Sequence, residues 1–138
     1  MQPHTTPPSP VAAWHDLVRR HDPTGIDALL ADQVVFWSPV VHKPQQGRAV
    51  TTMYLTAAFH VFFNDSFRYV REIVGAQDAV LEFETTIDGI VVNGVDLLRW
   101  DDAGRITEFK VMVRPLKAIT LIHEKMAAML ASAAAARR

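Results

Sequence analysis

Apolar side chains recur at Val11, Trp14, Leu17 and Val18, the spacing of one buried stripe on a helix running to Arg20. Ser9-Pro10 supplies its cap and first-turn proline. Asp22-Pro23-Thr24-Gly25 is a turn, followed by a short helix over residues 26–30. Val34-Val35-Phe36-Trp37 reads as a strand that Ser38-Pro39 ends. One proline and one glycine, directly after Pro39, make residues 40–47 a loop. A second long helix is predicted from Arg48 to about Phe62, with Met53, Leu55, Ala58, Phe59 and Phe62 available for packing.

After Asn64-Asp65 the period changes from helical to alternating. Residues 67–74 predict a strand with one wet face. Residues 79–85 alternate more clearly, with Leu81 and Phe83 on one face and Glu82 and Glu84 on the other. Asp88-Gly89 is a hairpin signal, residues 91–100 form the next strand, and Asp101-Asp102-Ala103-Gly104 is another turn. Residues 105–113 are the last strand, closed by Arg114-Pro115. A terminal helix over 116–136 carries Leu116, Ile119, Ile122, Met126, Met129 and Ala133 on one stripe, with Arg137 and Arg138 at the negative end of its dipole. Helices first and hairpin-linked strands afterwards predict an α+β domain, not a doubly wound sheet.

Composition narrows the chemistry. The 138 residues suffice for one core without staples, and no repeat or second domain is visible. A net charge of −1 leaves no electrostatic footprint for nucleic acid or an anionic membrane, and the basic residues are scattered. Cysteine is absent, which excludes disulfides, thiolate metal sites and a cysteine nucleophile and agrees with a cytoplasmic setting. The proline-rich residues 1–9 have neither the basic nor the apolar region of a signal peptide and read as a disordered tail before a domain spanning 10–138. The alanine-rich C-terminal segment is too short to span a bilayer, so no membrane role is expected.

The segment Val95-Asp-Leu-Leu-Arg-Trp-Asp-Asp-Ala-Gly-Arg-Ile106 joins a polar residue on the penultimate strand to a turn and a Gly-Arg-Ile entry into the last one. With the order of elements over about residues 10–116, it resembles the nuclear transport factor 2-like, or SnoaL-like, superfamily. That resemblance implies a cone-shaped α+β barrel: a strongly curved mixed sheet around N-terminal helices, here with an extra C-terminal helix. The fold hosts isomerases, cyclases, hydrolases, dehydratases and non-catalytic binders. Similarity to ketosteroid isomerases is partial. Asp96 falls at the oxyanion-hole acid of those enzymes, but Ser38 before Pro39 stands where they carry the general-base aspartate. Their helix-borne tyrosine falls in the first helix, which has Trp14, His15 and Leu17 instead. The last-strand acid of polyketide cyclases is also absent, since Phe109-Lys110-Val111 stands there.

Asp96 is the leading candidate, because strand parity places it with Leu98 and Trp100 on an apolar face, where ionisation is costly unless paired. The alternative is a structural tie to Arg114, Arg99 or a loop amide. His42, in the Pro39–Pro44 loop, is a candidate proton shuttle or a solvated loop histidine. His15 and His60 sit on helices, where histidines more commonly pack. His123-Glu124 opens a zinc-protease motif whose second histidine is replaced by Ala127, and no other metal-ligand spacing occurs. The expected pocket walls are Leu81, Phe83 and Thr85, then Leu98 and Trp100, then Phe109, Val111 and Val113. Trp14, Leu17, Ser38, Met53 and Tyr54 face them. Such walls suit a small apolar molecule with one oxygen function and call for no cofactor and no metal. Two readings stand: a cofactor-free isomerase, lyase or hydrolase using Asp96 with His42, and a non-catalytic carrier or sensor. The outward face bearing Val80, Glu82, Glu84 and Thr86 is the expected homodimer surface.

Overall fold

The computed structural model describes residues 8–136. Helix α1 (Val11–Arg20) buries the predicted stripe of Val11, Trp14, Leu17 and Val18. Pro10 itself occupies the cap position, and the Ser9 hydroxyl accepts from the Val11 amide at 3.2 Å. A 3-10 turn at Pro23–Gly25 leads into α2 (Ile26–Leu29) and β1 (Leu30–Trp37), so the first strand starts four residues before the expected Val34. The expected loop contains a two-residue strand, β2 (Gln45–Gln46), paired antiparallel with β1. Helix α3 (Arg48–Phe62) buries Leu55, Phe59 and Phe62, while Met53 stays half-buried.

Four strands then follow: β3 (Arg68–Val74), β4 (Asp78–Ile87), β5 (Ile90–Trp100) and β6 (Ile106–Arg114), before helix α4 (Leu116–Ala136). The β4–β5 hairpin turns on Asp88 and Gly89, both at positive φ (49° and 77°), a backbone that glycine adopts without the Cβ penalty. Gly104 (φ 81°) does the same between β5 and β6, where Asp101 Oδ1 accepts from the Ala103 and Arg105 amides at 3.0 Å.

The six strands are ordered β2-β1-β6-β5-β4-β3, antiparallel throughout except for the parallel β1–β6 pair. This is the α+β arrangement expected, a mixed sheet with helices packed on it, but the sheet is open, with β2 and β3 at its edges, and is not a closed barrel. Strand β3 departs from simple alternation. Its register shifts between Tyr69 and Arg71, and it is largely exposed, with Tyr69 half-buried. Its edge position leaves one side unpaired, and the bulge re-aims the residues around it.

Buried side chains form two clusters. One joins α1, α2 and α3 to the sheet around Trp14, Leu30, Leu81, Leu98, Trp100 and Ile106. The other packs α4 over the far end, through Phe62, Phe83, Val92, Ala118 and Ile122. No helix among the described residues is long and apolar enough to cross a membrane. Residues 1–7, which carry most of the expected tail, and Arg137 and Arg138 lie outside the described residues.

Candidate functional site

Between the two clusters lies a cavity of about 240 Å³. Trp14 of α1 and Phe36 of β1 meet there with Tyr54, Leu55, Ala58, Phe59 and Phe62 of α3. The chain leaving α3 adds Phe63 and Phe67. The sheet contributes Phe83, Asp96, Phe109 and Val111, and α4 contributes Ile122, His123, Met126, Ala127 and Leu130. Ser38, Pro39, Val40 and Val41 complete the wall beyond β1. His123, Ala127 and Val41 are exposed and mark the rim. The aromatic rings brace one another edge to face: Trp14–Phe59 at 5.5 Å, Phe59–Phe63 at 4.5 Å and Phe63–Phe67 at 4.4 Å. Contacts of this kind contribute about 0.5–1.5 kcal/mol each beyond area burial, so the wall is held by its own rings.

Asp96 is 6 % exposed and is the carboxyl group on that wall. Tyr69 Oη donates to Asp96 Oδ2 at 2.7 Å, and Trp14 Nε1 donates to Tyr69 Oη at 2.8 Å. The polarity of this chain is fixed by its first member. An indole N–H only donates, so Tyr69 accepts from Trp14 and spends its own proton on Asp96. Burial of the phenol, then the Asp96 charge, hold Tyr69 well above its usual range, so it stays a neutral donor. Oδ1 of Asp96 has no protein partner among the described residues and is the oxygen left for the cavity.

Burial pushes the Asp96 carboxyl up to about 7, against the lowering effect of the Tyr69 hydrogen bond. Tyr69 is in turn in ring contact with His15 of α1, which pairs with Glu72 of β3, while Tyr54 of α3 and His123 of α4 line the same cavity as Asp96. The structural alternative of an ion pair with Arg114 or Arg99 is not what is observed: Arg114 is exposed at the end of β6, and Arg99 lies 3.8 Å from Glu108.

Of the other expected site residues, Trp14, Ser38, Tyr54, Phe83, Phe109 and Val111 line the same cavity as Asp96. Leu17, Leu81, Leu98 and Trp100 belong to the solid core beside it. Their strand face is the one expected, but packing fills that end of the sheet. Thr85 is buried and bonds the Phe62 carbonyl at 3.2 Å, Met53 lies off the wall, and Val113 packs beside the α4 cluster. His42 is exposed and is not brought to Asp96. It borders a shallower concavity with Trp37, Lys110, Met112 and Val113, on the other side of the 38–41 segment. Glu82 and Glu84 face outwards, paired with Arg71 at 3.0 Å and Arg68 at 3.3 Å. Sequence reasoning missed Tyr69, Phe36, Phe63, Phe67 and the α4 residues. Tyr69 had a signal of sorts, as the sole hydroxyl in a strand otherwise made of charged and aliphatic side chains.

A SnoaL-like domain model matches residues 11–109. The chain is similar to a steroid delta-isomerase from Pseudomonas aeruginosa, at 39% identity over 91% of each chain with a TM-score of 0.86. It is also similar to a conserved bacterial protein with a cystatin-like fold from Silicibacter pomeroyi, at 32% identity over 86% of this chain and 82% of that one, with a TM-score of 0.79. An NTF2-like protein from Mesorhizobium loti, at 24% identity over 76% of this chain and 88% of that one, shares the fold at a TM-score of 0.66. Among curated proteins none matches.

Proposed function

The chain belongs to the SnoaL-like domain family, and on that premise we propose that it is a cofactor-free isomerase that moves a proton within a small apolar ketone. Asp96 is the acid–base group. The observation that carries this reading is a buried carboxyl, pushed up to about 7, on an otherwise largely hydrocarbon cavity wall. General bases work best when they titrate near the operating pH, and an apolar wall both selects an apolar ligand and excludes water.

In the proposed step the ionised Asp96 removes a proton from a carbon next to the carbonyl through Oδ1. The C–H electron pair moves into the carbonyl to give an enolate. The neutral carboxyl then returns the proton to another carbon of the same conjugated system, so one C–H bond breaks, another forms and a double bond shifts. Tyr69 keeps its hydrogen bond to Oδ2 throughout, and Trp14 keeps Tyr69 from turning away. The likeness to the Pseudomonas aeruginosa steroid delta-isomerase supports the reaction class. His42, exposed and away from Asp96, has no part in this step.

The test is deuterium incorporation beside the carbonyl of 1-indanone in D2O, followed by mass spectrometry. The wild-type chain is expected to accelerate exchange over buffer, and Asp96→Asn to lower that rate about 100-fold or more. Equal exchange by the two proteins would remove Asp96 as the base. Binding without any exchange would leave the same cavity as that of a carrier.

A further inference from the structure

We propose that the Ser38 hydroxyl is the donor that holds the ligand's carbonyl oxygen, so that the site has its base on β5 and its oxygen-binding group at the end of β1. The inference rests on the reading of Asp96 as the base. Ser38 Oγ accepts from the Val40 amide at 3.0 Å and the Val41 amide at 3.1 Å. A hydroxyl oxygen has two lone pairs and one proton. Both lone pairs are thus engaged, and the proton meets no acceptor among the described residues. What Ser38 has left to offer the cavity it lines is a donated hydrogen bond. Pro39 carries no N–H to compete for the oxygen, and its ring fixes the turn that brings the two amides back onto it. Two accepted bonds also polarise the O–H, since hydrogen bonds in a chain strengthen one another.

The other polar groups on the wall fit the role less well. The Tyr54 hydroxyl has no hydrogen-bond partner among the described residues, but nothing pins its oxygen, so it is free to donate or to accept. His123 stands exposed at the rim. Asp96 can donate only while it is protonated, the state in which it cannot act as a base. A donor fixed before the reaction begins costs no reorganisation as charge builds on the carbonyl oxygen, and removing one such donor typically lowers rates by about 10²–10³-fold. The substrate class is therefore an apolar ketone that seats its carbonyl oxygen on Ser38 and presents the neighbouring carbon to Asp96.

The experiment is infrared spectroscopy of 1-indanone labelled with ¹³C at the carbonyl and bound to the wild-type chain, Ser38→Ala, Ser38→Thr and Tyr54→Phe, at pH 5 and pH 9. Circular dichroism confirms that each variant is folded. At pH 9 Asp96 is ionised and cannot donate. The carbonyl band is expected below its position in hexane for the wild-type chain, Ser38→Thr and Tyr54→Phe, and at the hexane position for Ser38→Ala. Exchange of the neighbouring protons is expected to fall about 100-fold in Ser38→Ala and to recover in Ser38→Thr. A band displaced at pH 5 alone would assign the donor to neutral Asp96 and overturn the proposal. Loss of the displacement in Tyr54→Phe would overturn it in favour of Tyr54, and an unbound or undisplaced ketone would also overturn it. Exchange that is lost in Asp96→Asn beside an undisplaced band would remove Ser38 and leave the base standing.

Discussion

A carboxyl held at about 7 ties the function of Asp96 to the stability of the fold. In the unfolded chain an aspartate titrates near 3.9. The folded state therefore favours the protonated form, and the sign follows. Below about pH 4 both states carry the proton and Asp96 costs nothing. Between about 4 and 7 the unfolded chain ionises first, and stability falls as pH rises. Above 7 the penalty is fully present, on the order of 4 kcal/mol by the size of the shift. Asp96→Asn cannot ionise and escapes this cost. Urea unfolding of the two proteins should show the wild-type chain losing on the order of 2 kcal/mol relative to Asp96→Asn between pH 5 and pH 8. A difference that does not change with pH would mean that the buried carboxyl is not raised.

At the scale of elements, the close approach of β4, β5 and β6 shapes the cavity floor. An added Cβ at Gly94 would lie 2.5 Å from Phe83 Cζ and 2.7 Å from the Met112 carbonyl oxygen. The ring sits on the cavity wall and the carbonyl belongs to the β6 ladder, so neither yields cheaply. Gly94→Ala is expected to destabilise the chain by about 1–3 kcal/mol and to weaken 1-indanone binding through the displaced Phe83. Unchanged thermal unfolding would show that β5 and β6 part freely there. The same strands explain what was legible in the sequence. The middle strands β4 and β5 each have one covered face, so their alternation fixed which side Asp96, Leu81 and Phe83 occupy. Parity says nothing about position along the face, and so Leu81, Leu98 and Trp100 were placed in a wall when they fill the core. In strand β3 the bulge lies beyond Tyr69, so parity puts Tyr69 on the same face as Phe67 but does not reveal that its hydroxyl reaches a residue 27 positions later. Helix α4 showed its apolar stripe, but no periodicity states which end of the domain a terminal helix covers.

The outward sheet face gives the last expectation, at the scale of the whole molecule. Register places Ile73, Val80, Leu97, Lys110 and Trp37 in one row across the strands, with Arg71, Glu82, Val95 and Met112 in the next. Ile73, Val91 and Met112 are 64 %, 59 % and 50 % exposed, an unusual run of apolar side chains for a surface. The ion pairs Arg71–Glu82 and Arg68–Glu84 put both signs of charge beside them, which is what a face meeting its own copy across a two-fold axis requires. The concavity of Trp37, Lys110 and Met112 opens on this side, and the Trp37 indole N–H is buried without a partner among the described residues. We propose that a second copy of the chain covers this face. A stable pair needs about 800 Å² buried on each partner, within reach of a six-stranded sheet. Sedimentation equilibrium at micromolar concentration should give twice the 15.4 kDa chain mass. Met112→Glu sets a like charge against itself or its neighbour across the axis, and should return the chain to the monomer with its circular dichroism unchanged. A wild-type chain that sediments only as the monomer would leave these apolar rows facing water and end the proposal.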